Sequence, residues 1–155
     1  MKTLLTRIKQ LIANDPPLVA MGVREVQICP PDTLPDVSNT RVPWIGVAPL
    51  STQEGWVAQR KEVTHGVAIY SFTFVEEFEK TVIGDTASGK PGLIEVVNAL
   101  ETALRNQLYS GYLSKPTEIN GIVYQVQQYG DGIYGFVATI TLECVRLVDV
   151  SIPTT

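Results

Sequence analysis

The chain is poor in the side chains that most often carry chemistry. It has one histidine and two cysteines in 155 residues. A single histidine, His65, excludes histidine-rich metal sites and leaves one imidazole for acid–base work. It lies between Val63 and Val67 in an apolar stretch, where a sheet histidine is the plainer reading than a catalytic base. No G-x-S-x-G elbow accompanies it. Cys29 and Cys144 lack the C-x-x-C spacing of a zinc or redox site, and whether they pair stays open. Basic residues are scarce as well. Twelve Lys and Arg against 16 Asp and Glu give a net charge of −4, whereas a nucleic-acid binder carries a basic stripe. Tyr109, Tyr112, Tyr124, Tyr129 and Tyr134 have too few basic neighbours for base stacking. No apolar run reaches the ~18 residues of a membrane span. Arg7 and Lys9 interrupt the apolar start and no small-residue cleavage site follows, so it reads as a helix and not a signal peptide, with assembly in a cytoplasm.

What is present is the pattern of a folded domain. The apolar fraction is 45%, and a chain of this length buries roughly 68–70% of its unfolded surface without staples. The strongest periodic stretch runs from residue 91 to about 109. Leu93, Val96, Val97, Leu100, Ala103, Leu104 and Leu108 fall on one stripe of a 3.6-residue period. Pro91 suits a first turn, and Gly111 sits where a left-handed residue stops a helix. Glu101 and Arg105 are four apart, in the favourable order for a surface pair. A second stripe, Leu4, Leu5, Ile8, Leu11 and Ile12, predicts a helix over residues 2–13. Asn14-Asp15-Pro16-Pro17 ends it, because the residue before a proline leaves the α region.

The remainder reads as strands. A short one is predicted near residues 23–29, then a proline-rich loop over 30–39. A strand over 42–50 carries Pro43 and Pro49 near its ends, as edge positions allow. Residues 51–61 are polar apart from Trp56 and Val57 and predict a projecting loop or hairpin tip. Residues 62–75 are apolar on both faces, one with Val63, His65, Val67 and Ile69, the other with Ala68, Tyr70, Phe72 and Phe74, which predicts a central strand. Gly66 suggests a bulge. A glycine-rich loop over 83–90 follows. Residues 122–129 and 133–147 flank Gly130-Asp131-Gly132, a hairpin turn signal. In the last strand Tyr134, Phe136, Ala138, Ile140, Leu142 and Cys144 form the predicted core face. The expected fold is α+β, a single domain over residues 1–148 with a mostly antiparallel β-sheet packed against two α-helices, and a flexible tail over 149–155.

One segment matches a chemical motif. Gly84-Asp85-Thr86-Ala87-Ser88-Gly89-Lys90 fits G-x-x-x-x-G-K and precedes a helix, as a phosphate-binding loop does. The next residue is Pro91, with no hydroxyl for magnesium and no N–H for a phosphate oxygen. Glu76, Glu77 and Glu79 could be imagined as metal ligands, but a solvated strand exit is the simpler account. Trp44 reads as core. Trp56, in polar surroundings, is a candidate interface anchor. No catalytic constellation emerges, so the chain is expected not to be an enzyme and to need no cofactor or metal.

The order of elements is informative as a whole. A helix over residues 4–12 precedes the strand PWIGVAPL, a loop with Glu54 and Trp56, and the long strand KEVTHGVAIYSFTF. Then come EEFEKTVIGDTASGKPG, the helix LIEVVNALETALRNQL, and a hairpin closing on GFVATITLECVRL. Over about residues 2–148 this layout resembles the tail terminator, or tail completion, proteins of long-tailed bacteriophages. The resemblance implies a virion structural protein at the tail–neck junction. It implies a homohexameric ring that caps the tail tube protein, ends tube polymerisation and joins the tail to the head–neck connector. DNA would pass through the ring without specific binding, and no membrane would be involved. Trp56, Glu54 and Arg60 are then candidates for the subunit or tube interface, and Glu76, Glu77, Glu79 and Asp85 for a channel-facing acidic set. An acidic lining would let DNA, with one charge per ~1.7 Å, slide. The alternatives are another neck or minor tail protein of the same virion, a nucleotide-binding protein using Gly84 to Lys90, and a small-molecule module in the sheet–helix groove.

Overall fold

The period-two stretches form one five-stranded sheet, and the two amphipathic stripes form helices on one of its faces. The computed structural model describes residues 1–32, 43–75, 77–130 and 132–148, with backbone alone at 129 and 130. The predicted tail over 149–155, most of the proline-rich loop, Glu76 and Asp131 lie outside the described residues. In chain order the elements are α1 (Lys2–Ala13), α2 (Pro16–Ala20), β1 (Val26–Ile28), β2 (Trp44–Val57), β3 (Arg60–Val75), α3 (Phe78–Ile83), β4 (Gly84–Asp85), β5 (Lys90–Pro91), α4 (Leu93–Leu104), β6 (Glu118–Gly130) and β7 (Ile133–Val148). The main sheet runs β1-β2-β3-β7-β6; only the β1–β2 pairing is parallel. The class is α+β, as expected.

β3 is central, as its two apolar faces require. On the helix side, Val67 and Ile69 join Ile45, Val47, Ala138, Ile140 and Leu142 beneath Leu4, Ile8 and Ile12 of α1 and Val97, Leu100 and Leu104 of α4. On the other face, Ala68, Tyr70 and Phe72 pack with Trp44, Ala48 and Val137. Trp44 is core, as read from the sequence. Its indole lies over Gly46, where a Cβ would sit 2.4 Å from the ring. Cys29 belongs to this second layer and Cys144 to the helix-side one, and both are free thiols.

Several expectations need correcting. α4 is shorter than the predicted residues 91–109, running only from Leu93 to Leu104. Its carboxyl end is taken over by a residue distant in sequence. The buried Thr117 hydroxyl donates to the Leu104 carbonyl and accepts the Gln107 N–H at 3.0 Å, while Asn106 N–H reaches the Thr117 carbonyl at 3.2 Å. These bonds replace the next helical turn. Gly111 does have positive φ (+82°), but well past the helix end. Pro91 lies in β5, and Gly92 caps the helix so close to Gly84 that a Cβ would sit 2.4 Å from its backbone nitrogen. Pro16 ends α1 but also opens α2, where Asp15 Oδ2 accepts the Leu18 N–H at 3.3 Å. The loop predicted over 83–90 is the β4–β5 hairpin, and α3 before it was not anticipated. The irregularity assigned to Gly66 lies across the ladder, in β2 between Pro49 and Ser51. Tyr134, placed on the core face, is 41% exposed, because it sits beyond the reach of the helices at the sheet's end.

Because Thr117 is buried and serves two backbone groups across the α4–β6 connection, Thr117→Val should cost about 1–3 kcal/mol. Urea unfolding of the two proteins measures this; equal midpoints would refute the account of how α4 ends.

Candidate functional site

Residues 51–61, read as a loop or hairpin tip, are strand almost throughout. β2 and β3 pair out to Val57 and Arg60, leaving Ala58 and Gln59 as a two-residue turn with φ of +48° and +67°. That is the hairpin turn whose twist matches the strands. Without glycine or asparagine it carries backbone strain of about 1–2 kcal/mol per residue. The result is an arm made of the paired ends of β2 and β3, with β7 alongside β3 as far as Lys61. Trp56 is 67% exposed on it, with Leu50 and Val57 also exposed. Trp56 faces Lys61 across the ladder, and Lys61 meets Glu54 at 2.7 Å. Trp56 and Glu54 share one face of this tip, whereas Arg60, opposite Val57, lies on the other.

At the arm's base His65 is 2% exposed. Arg146 Nε, 3.2 Å from His65 Nε2, can only donate, so Nε2 accepts and Nδ1 carries the proton toward Thr52 Oγ1 at 3.0 Å. Burial, then the charges of the amino terminus and Arg146, hold its pKa below the usual value. This is a neutral histidine joining β2, β3 and β7, with both ring nitrogens occupied.

The acidic set stands around α3. Glu77 meets Lys80 at 3.1 Å, and Asp85 lies 4.0 Å from the same ammonium. The Lys80 pKa is raised first by its hydrogen bond to Glu77, then by the charges of Glu77 and Asp85. Hydrogen bonding from Ser88 holds the Asp85 carboxyl below its usual range, and the Ala87 N–H, 3.1 Å away, adds to this. Glu79 is exposed beside them, and Glu76 lies outside the described residues. Among the described residues no three His, Cys, Asp or Glu side chains converge as metal ligands do.

The G-x-x-x-x-G-K segment has the wrong shape for a phosphate cradle. Gly84 pairs with Pro91 and Asp85 with Lys90, so the segment folds back on itself. The carboxylate of Asp85 already occupies the Ala87 N–H. An open cleft of about 610 Å³ lies between Phe74, Lys80, Asp85 and Pro91, but Lys80 and Asp85 there face each other.

One surface was missed in the sequence. β6 is an edge strand with Val123, Tyr124 and Val126 exposed by 43–56%. On the helix side, Phe136 lies beneath an aromatic cluster, with the Phe78 ring 5.6 Å and the Tyr124 ring 6.0 Å away. Val126 lies directly across the ladder from Phe136. The signal was in the sequence: Ile122, Val123, Tyr124 and Val126 are apolar without alternating, although the strand ends its sheet.

No family model matches the chain, and no curated protein matches it. Among solved structures, a chain in the virion of a native gene transfer agent particle shares the fold. It has a TM-score of 0.50 and 13% identity, with 92% of this chain and 94% of that chain covered.

The unfolded chain protonates its histidine near pH 6.5, and the folded chain only below that. The stability His65 provides is therefore complete above pH 6.5 and is lost as the pH falls through the interval beneath it. His65→Gln should flatten the dependence of unfolding free energy on pH in that interval, as denaturant titrations at several pH values would show; an unchanged slope would refute the neutral assignment.

Proposed function

We propose that this chain is a structural protein of a phage-like virion, acting by association and without bond chemistry. The observation that carries this is the fold shared, over nearly the full length of both chains, with a component of a gene transfer agent virion. Within that class we read it as a tail terminator: a protein that closes into a homohexameric ring on the last layer of the tail tube, stops polymerisation and joins the tail to the head–neck connector. The order of elements supports this finer reading, as does an ordered arm with an exposed tryptophan, a side chain enriched where interfaces bury most energy.

In this reading the Trp56 arm, with Glu54 and Arg60, contacts a neighbouring subunit or the tube. α3 stands at a corner of the subunit. Its Phe78 side packs toward Phe136, while in this reading Glu77, Glu79 and the nearby Asp85 face the channel. With Lys80 set against Glu77 and Asp85, the lining would be weakly acidic, which suits passage of a polyanion without binding. A second reading, another neck or minor tail protein of the same virion, fits the same fold.

Electron microscopy of the purified chain with and without tail tubes tests the proposal: rings capping tube ends are expected. Particles from a strain lacking the chain should show tubes of uncontrolled length or unattached heads, and normal virions would end the reading. Trp56→Ala should leave stability within about 0.5 kcal/mol, because the side chain is exposed, yet weaken assembly by native mass measurement.

A further inference from the structure

We propose that copies of this chain join edge to edge, the outer part of β2 in one copy pairing antiparallel with β6 of the next, so that their sheets run on as one. This rests on the ring reading above and names the contact between its subunits. The five-stranded sheet has two bare edges. β1 covers β2 only at residues 45–47, so residues 51–57 have β3 on one side and no described strand on the other. β6 ends the sheet and has β7 alone. Among the described residues no backbone hydrogen bond reaches the outer side of residues 51–57 or 119–127. About half of the peptide groups in an edge strand point away from its one partner, and exposed edges are usually blunted by lysine, proline or bulges. Neither residues 51–57 nor residues 118–130 contain a lysine, arginine or proline. The bulges lie at residues 49–51 of β2 and 119–121 of β6, which leaves 51–57 and 121–127 unbroken.

A second copy serves both edges at once. β2, β3, β7 and β6 alternate in direction, so β6 runs opposite to β2. Rotation about a ring axis keeps each strand's direction, and the β2 brought beside β6 is therefore antiparallel to it. The two edges are not level. Ser51 lies opposite Gly66, Gly66 opposite Glu143 and Glu143 opposite Glu118, so the bare part of β2 stops where β6 starts. To overlap, the next copy must step along the strands, and by an even number of residues, since an odd step would set each face against the wrong one. A step of four would drive β1 of the next copy into β6. A step of six sets residues 51–57 beside about 118–125 and brings β1 only to the last residues of β6. Six residues are ~20 Å along the strands, against ~19 Å across four strands. The strands then tilt by about 45° to the ring axis, the slant that closes a sheet into a barrel. Trp56 comes beside Ile119, both on the helix side, because Lys61 and Val67, level with them in β3, share that face.

Cross-linking reads the pairing directly. Gln53 and Val123 are both exposed and come side by side only across the contact. Within one chain they are three strands and about six residues apart, roughly 25 Å, too far for a short bis-maleimide. Full-length Gln53→Cys, Val123→Cys and the double variant are treated with that reagent where wild type assembles, alone or on tail tubes. Wild type, whose two thiols are buried, is the control. On denaturing gels the double variant should give a ladder of covalent oligomers, and each single variant should stay monomeric. Val123→Lys should keep its unfolding temperature, yet self-associate at least about tenfold more weakly by sedimentation velocity. An assembled double variant that runs as a monomer overturns this contact and leaves the ring reading standing, as does Val123→Lys associating like wild type. A covalent dimer of Val123→Cys alone also overturns it, in favour of β6 against β6. A wild type that is monomeric at every concentration, with or without tubes, removes the ring reading itself and this contact with it.

Discussion

The structure depends on one strand being greasy on both sides. β3 has Val67 and Ile69 against the helices and Ala68, Tyr70 and Phe72 against the opposite layer, all of them buried. Fully burying a side chain such as Ile or Phe is worth about 1.5–3 kcal/mol. A strand with such residues on alternate sides gains this on both faces only in the middle of a sheet. That constraint fixes β2 and β7 as its neighbours. It leaves the shortest strand of this sheet, β1, at one edge and the most exposed, β6, at the other.

The sheet is longer than the layers that cover it, and its two uncovered ends carry the surfaces of interest. Beyond the bulge near Leu50, β2 runs on along the start of β3 to form the arm, while Val63 and His65 of β3 stay buried and paired with β7. At the opposite end Phe136 lies under Phe78 of α3 and Tyr124 of β6, both of which are exposed. A fold that only needed stability would not carry 14- and 16-residue strands past its core with a tryptophan at the tip. Exposed apolar area at both ends of one sheet suits a subunit that is completed by contact with other chains.

Much of this was legible from residues alone. The two helical stripes, the central strand, the closing hairpin and the buried place of Trp44 followed from spacing and composition. So did the exposure of Trp56, since a tryptophan among Ser, Thr, Gln, Glu and Arg has little apolar company. The aromatic cluster was not legible. Phe136 reads as an ordinary core position in an alternating strand, and Phe78 comes from a short helix with no strong periodicity. They meet only because β7 and the β3–α3 connection return to the same end of the sheet.

Local side-chain spacing settled α1, the body of α4 and the strands in the middle of the sheet, because those choices rest on residues close together along the chain; it did not reveal α3 or the β4–β5 hairpin. Where the elements stop was decided by the tertiary structure. α4 ends at Leu104 because Thr117 captures its last carbonyl, and residues 51–57 are strand because β3 supplies their hydrogen-bond partners. An exposed polar segment has no inward reason to be extended, and a helix has no local reason to break before its stripe runs out. In both places a backbone partner far along the chain outweighed local preference, since a peptide group without a hydrogen bond costs more than a residue in its second-best conformation.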